Sequence, residues 1–244
     1  MGMYVGSLEH DACGIGFITN TNGQSDHKTV ADSIQMLENM EHRGGVGAEP
    51  ETGDGAGIMT EIPFDFFQKS LPEHKEKLTP REYGVGMIFL PKPNWEECLS
   101  EFIALAKSLK FEAFATRTVP VDSLFVGPSA RENEPITIQI FLKYGDLSTK
   151  DLERKLYVLK KSASHELTKA YPDFYILSLS CFKIVYKGQL RTDQLKQYFL
   201  DLQDEAFQST YAIIHSRFST NTFPKWSLAQ PFRFMAHNGE INTI

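Results

Sequence analysis

Cys13 stands in the stretch Glu9-His10-Asp11-Ala12-Cys13-Gly14-Ile15-Gly16-Phe17, ahead of a glycine-spaced apolar run. Its thiol is a nucleophile for a carbonyl carbon, provided that a base takes the thiol proton and fixed donors hold the oxyanion that forms. If residues 1–12 are removed, the α-amine of Cys13 is itself that base. A free α-amine titrates at about 7.7–8.0, whereas the nitrogen of an Ala12–Cys13 peptide bond has no basic lone pair. Ala12 is small, which is compatible with cleavage at that junction without being specific for it. Asn238-Gly239 offers a side-chain amide next to an unhindered backbone N–H, a pair that suits an oxyanion hole, although Asn-Gly is also a common turn. Arg217, at the end of a short apolar run, has the fork geometry to clamp a carboxylate through two parallel hydrogen bonds; a lone arginine there is also commonly a solvated charge. His215 and His237 leave open a Cys–His dyad with a conventional base. A half-buried structural cysteine is the bland alternative for Cys13.

The elements that must position these residues follow from periodicity. Residues 13–19 predict a strand with Ile15, Phe17 and Thr19 on one face, followed by a turn at Thr21-Asn22-Gly23. Val30, Ile34 and Leu37 fall at helical spacing over 28–40, with Ser25 or Asp26 as the cap. Two glycine-dense passages, 41–47 and 51–57, then lead into a strand over 58–62. Their spacing is not that of a nucleotide loop, which would open a helix, and the expected role is a tightly turned backbone near a site. Residues 84–180 predict β-α-β-β-α-β, a ferredoxin-like order read as a structural insertion. Beyond it the pattern predicts an extended run over 181–185, a hairpin turn at Tyr186-Lys187-Gly188-Gln189, a helix carrying Leu195, Tyr198, Phe199 and Leu202, and a short strand over 211–214.

Composition narrows the classes. The chain has 244 residues, 41% of them hydrophobic, enough for one large domain or two small ones. Its 25 Lys and Arg against 31 Asp and Glu leave a net charge of −6, which argues against a nucleic-acid partner. Cys13, Cys98 and Cys181 are far apart and include no Cys-x-x-Cys pair, so no metal site is expected and a reducing, cytoplasmic compartment is the simpler reading. Residues 1–12 lack the apolar core and basic flank of a secretory signal, and no apolar run approaches the ~20 residues needed to span a membrane.

Taken in order, Cys13-Gly14-Ile15-Gly16-Phe17, His42-Arg43-Gly44-Gly45, Thr52-Gly53-Asp54-Gly55-Ala56-Gly57, His215-Ser216-Arg217-Phe218-Ser219-Thr220-Asn221-Thr222 and Ala236-His237-Asn238-Gly239-Glu240-Ile241-Asn242-Thr243 resemble one family. It is the class II glutamine amidotransferase domain at the N-terminus of the glutamate synthase large subunit. The resemblance implies an α+β fold, a four-layer αββα sandwich of the N-terminal-nucleophile type. It implies a propeptide over 1–12, an amidotransferase domain from residue 13 onward, and an insertion at about 84–180. Cys13 would be the nucleophile and its amine the base, with Asn238 and Gly239 as the oxyanion hole and Arg217 on the α-carboxylate of L-glutamine. Trp226, His42 and Arg43 would shape the pocket. Ammonia would pass to 2-oxoglutarate in downstream domains that carry FMN and iron–sulfur clusters, with a small reductase subunit as a further partner; no cofactor is expected in this chain.

The family's domain runs beyond residue 244 and places there the acidic group for the substrate's ammonium. The expectation is therefore a C-terminally truncated sandwich that alone binds glutamine poorly. Two other readings stay open at this stage: a catalytically silent, unprocessed interaction module, and an amidotransferase domain serving another acceptor.

Overall fold

The computed structural model describes residues 14–46, 49–219 and 223–232. Its strands form two four-stranded antiparallel sheets. The first has the order β1-β8-β2-β7, built from β1 (Ile15–Thr19), β2 (Ala56–Glu61), β7 (Lys183–Gly188) and β8 (Tyr211–Ser216). The second has the order β4-β5-β3-β6, built from β3 (Gly84–Leu90), β4 (Glu112–Thr118), β5 (Ile136–Lys143) and β6 (Tyr175–Ser180). β2 and β7 are neighbours in the first sheet, and the chain between them supplies the whole of the second.

Helix α1 (His27–Asn39) starts where Asp26 accepts the Thr29 N–H at 2.7 Å, and it buries Val30, Ile34 and Leu37 against β1 and β8. An aspartate at this position satisfies one of the donors that a helix start leaves open. Short helices α2 (Phe64–Ser70) and α4 (Pro128–Glu132) follow β2 and β4 respectively. Helices α3 (Trp95–Ser108) and α5 (Thr149–Glu166) lie on the outer face of the second sheet. There Cys98, Phe102 and Ala106 of α3 and Leu152, Leu156, Leu159 and Ala163 of α5 share a core with Ile88, Ile138 and Ile140. The opposite face of that sheet, through Val85, Met87, Phe89 and Phe141, joins a second core with Ile58, Tyr186 and Ile214 of the first sheet.

Side chains alternate across a strand, so the pairing register sorts the first sheet into two faces. Gly16, Ile214, Ile58 and Tyr186 form one cross-strand row on the covered face. From there Tyr186 reaches the second sheet, where Gln139 Nε2 donates to its hydroxyl at 2.7 Å, and that hydroxyl donates to Asp201 at 2.7 Å. The neighbouring row, Ile15, His215, Gly57 and Lys187, points the other way. On this second face Ile15 and Phe17 are 45% and 59% exposed.

Two expectations need correction. The predicted turn at Tyr186-Lys187-Gly188-Gln189 is strand instead: β7 runs through Gly188. The glycine serves packing rather than turning, because a Cβ at 188 would lie 2.5 Å from the Trp226 ring. The helix predicted around Leu195 is a single turn, α6 (Leu195–Tyr198), flanked by 3-10 turns at Thr192–Gln194 and Leu200–Gln203. Its apolar set is still buried, but in a wound segment too short to count as a regular helix.

Candidate active site

The described parts of four of the five motifs meet where β8 ends. The Ser216 N–H donates to the Gly14 carbonyl at 2.6 Å, extending the β1–β8 ladder to the residue joined to Cys13. Cys13 itself, like Asn238, Gly239 and His237, lies outside the described residues.

Arg217 follows directly and is 6% exposed. Three loops are braided around it. The Arg217 N–H donates to the Gly55 carbonyl at 2.8 Å, the Gly45 N–H donates to the Arg217 carbonyl at 3.0 Å, and the Asp54 N–H donates to the Gly45 carbonyl at 2.9 Å. The guanidinium donates through Nη1 to the Asp54 carbonyl and through Nη2 to Ser219 Oγ, both at 3.2 Å. Asp54 Oδ2 accepts the Ser219 N–H at 2.6 Å, which closes the turn over the arginine. A side chain at position 45 would collide with this arrangement, since its Cβ would lie 1.9 Å from Asp54 Oδ2. The glycine-dense passages are thus the backbone that lets the three loops approach Arg217 so closely. Burial pushes the Arg217 pKa down from the usual arginine value, and the Asp54 charge acts against that shift. A guanidinium stays charged under such a shift, so this corner holds a fixed, partly desolvated cation.

Asp54 and Ser219 were not singled out by sequence; the available signal was an acidic residue set between two glycines. Asp54→Asn keeps the shape but removes the charge from a buried acceptor. Unfolding stability in urea is expected to fall by about 1.5–3 kcal/mol, the range for a hydrogen bond to a charged group. An unchanged midpoint and slope would contradict this role for Asp54.

The other predicted pocket residues are spread out. His42 and Arg43 lie on the 3-10 turn Glu41–Arg43 after α1, His42 exposed and Arg43 half-buried. A shallow, open depression beside this turn is lined by Glu41, Gly44, Gly45, Thr192, Ser216 and Arg217 among others, but by neither His42 nor Arg43. Trp226 is 5% exposed, and its indole N–H donates to the Ala130 carbonyl at 2.8 Å. Its ring packs on Phe89 and Tyr198, so the described contacts of this tryptophan are core contacts. His215 is buried, directly opposite Ile15 and Gly57.

The remaining cysteines are poor nucleophiles. Cys98 and Cys181 are fully buried, and burial pushes both thiols up to about 12, with Glu101 and Glu153 respectively adding to the effect. A thiol held in that range carries almost no thiolate near neutral pH. Among the described residues no cluster of three or more His, Cys, Asp or Glu could hold a metal, and no helix is long and apolar enough to cross a membrane.

Comparison with known proteins identifies the family. The model of the glutamine amidotransferases class-II matches residues 13–244. The ferredoxin-dependent glutamate synthase of Pyropia yezoensis is 43% identical over 241 residues, covering 97% of this chain and 16% of that protein. The glutamate synthase [NADPH] large chain of Bacillus subtilis (strain 168) is 43% identical over 252 residues, covering 100% and 16%. The glutamate synthase [NADH] of Schizosaccharomyces pombe is 43% identical over 253 residues, covering 99% and 12%. The chain thus spans between 12% and 16% of the length of these relatives.

Proposed function

We infer that this chain, which belongs to the class-II glutamine amidotransferases, is the glutaminase module of a glutamate synthase and releases ammonia from L-glutamine through the thiol of Cys13. The observation that carries this reading is the corner itself. One backbone hydrogen bond, from Ser216 to Gly14, ties the nucleophile's neighbour to the strand that leads directly into a buried arginine.

The chemistry follows from the groups. Arg217 holds the α-carboxylate of glutamine and so directs the side-chain amide toward Cys13. The α-amine of Cys13 takes the thiol proton as sulfur bonds to the amide carbon, and Asn238 with the Gly239 N–H receives the oxyanion. Collapse of that intermediate breaks the C–N bond, and the proton held by the amine goes to the leaving nitrogen, giving ammonia and a thioester. Water, deprotonated by the same amine, then attacks the thioester; the C–S bond breaks, glutamate is released, and the thiol regains its proton. This sequence requires a free amine at position 13, so residues 1–12 act as a propeptide that is removed. His42, Arg43 and Trp226 act on the pocket from further out.

In fold terms, the first sheet with α1 is half of a four-layer αββα sandwich of the N-terminal-nucleophile type. The exposed face bearing Ile15 and Phe17 is the one that the second half would cover. Residues 84–180 are then a ferredoxin-like insertion, a reading supported by their β-α-β-β-α-β order, by the strand order β4-β5-β3-β6, and by their place between the paired strands β2 and β7. The printed names of the relatives support a synthase context in which ammonia passes to 2-oxoglutarate in further domains. FMN, iron–sulfur clusters and a small reductase subunit belong to those parts, and no step above runs through them. The compartment that fits is cytoplasmic.

The test is a glutaminase assay on the full-length protein. Glutamate and ammonia are expected in equal amounts from glutamine; no release would leave an interaction module as the reading.

A further inference from the structure

The loop 49–55 supplies Arg217 with two of its contacts, the Gly55 carbonyl for its N–H and the Asp54 carbonyl for its guanidinium. Part of what holds this loop lies in the segment 84–180, whose expected role is structural. One carboxylate oxygen makes the link. Glu49 Oε2 accepts from the Thr52 hydroxyl and from the Ser129 hydroxyl, both at 2.8 Å, and from the Ser129 N–H at 3.1 Å. Glu49 and Thr52 belong to the loop, while Ser129 lies on α4. The Ser129 N–H above all, with the Thr52 and Ser129 hydroxyls, holds the Glu49 carboxyl below the usual carboxylate range, so it is ionised at neutral pH.

The fit at this contact is close. A Cβ at Gly127, the residue before α4, would lie 2.1 Å from Thr52 Oγ1 and 2.9 Å from the Glu51 carbonyl oxygen, so a side chain there would displace the loop. From the other side Arg191 donates to the Pro50 carbonyl at 2.9 Å, and Gln194 donates to the Glu51 carbonyl at 2.8 Å. The loop is thus gripped on two sides. Asp54 follows two residues after Thr52, at most about 7 Å along the chain, and Gly53 between them pairs with Val46. A shift of Thr52 therefore reaches the Asp54 and Gly55 carbonyls, and through them Arg217. A binding group keeps its geometry only when the hydrogen bonds that support it are themselves fixed.

We propose that Glu49 is a positioning residue for glutamine binding: by clasping the loop 49–55 to Ser129 it fixes the Asp54 and Gly55 carbonyls, and so the guanidinium that holds the α-carboxylate. The segment 84–180 then supports the substrate site through α4. The proposal rests on the glutaminase reading, and it separates from that reading because the clasp has a readout of its own. The experiment compares full-length wild type, Glu49→Ala, Glu49→Gln and Gly127→Ala by glutaminase kinetics, by hydrogen exchange and by thermal unfolding.

In Glu49→Ala the KM for glutamine is expected to rise by about 3–30-fold, the scale of a coupling carried by supporting contacts. kcat should stay within about twofold, because the nucleophile and its base are untouched. Amides of 52–56 and 215–219 should exchange at least about tenfold faster. Tm should change little, since Arg191 and Gln194 still hold the loop. Glu49→Gln can keep one oxygen facing all three donors, so its KM should return to within about threefold of wild type. Gly127→Ala, which displaces the loop from the α4 side, should raise KM with the same small effect on kcat. A wild-type KM in Glu49→Ala overturns the proposal, as does unchanged exchange in 52–56. So does a Glu49→Gln protein no better than the alanine variant, or a loss confined to kcat. An inactive wild type would instead contradict the glutaminase reading, while the exchange measurement would still decide whether Glu49 holds the loop.

Discussion

Replacing Cys13 with alanine is expected to reduce glutamine hydrolysis by at least about four orders of magnitude, as loss of the nucleophile does in enzymes that form a covalent acyl intermediate. No other thiol can take over. Cys98 and Cys181 are sealed in the core with thiols pushed up to about 12, sharing a cluster with α3 and α5 side chains. The substitution should leave the fold intact, since the bond that fixes this corner joins the backbones of Ser216 and Gly14. The measurement is glutamate release with the unfolding midpoint as control. Appreciable activity in a folded Cys13→Ala protein would remove the thiol from the mechanism.

Arg217→Ala carries the second large effect. Truncating one side of a buried, hydrogen-bonded charge contact costs about 2–5 kcal/mol, which corresponds to about 30-fold to several thousand-fold in kcat/KM at 1.36 kcal/mol per decade. Most of that loss should appear as a higher KM for glutamine, because a carboxylate clamp acts on the ground state and the transition state alike. Arg217→Lys should recover only part of it, since an ammonium lacks the planar fork. The guanidinium also braces Asp54 and Ser219, so the stability of each variant must be measured alongside. An unchanged KM in folded Arg217→Ala protein would show that the carboxylate is held elsewhere.

The sequence made most of the frame legible because burial there follows simple periods. β3 over 84–90, α1 with its Asp26 cap and the α5 stripe of Leu152, Leu156, Leu159 and Ala163 lie where their patterns predict. It failed where tertiary contact decides. Gly188 reads as a turn residue, yet its missing side chain makes room for Trp226. Within the site, Arg217 was legible from its motif, but the Asp54 and Ser219 brace was not. That brace joins residues 165 positions apart in the chain through one backbone N–H, and no local pattern encodes such a contact. Lys187 was hidden for the same reason: its sequence reads as part of a turn, whereas it lies in β7, with its ammonium against Ser227 and Phe232.

The central claim is that Cys13 acts as an N-terminal residue, supplying both thiol and base. Intact-mass measurement and N-terminal sequencing of protein that hydrolyses glutamine test it most directly. The active form is expected to begin at Cys13, with residues 1–12 absent. Active protein that still carries Ala12 on the nitrogen of Cys13 would contradict the account, because that nitrogen could then take no proton.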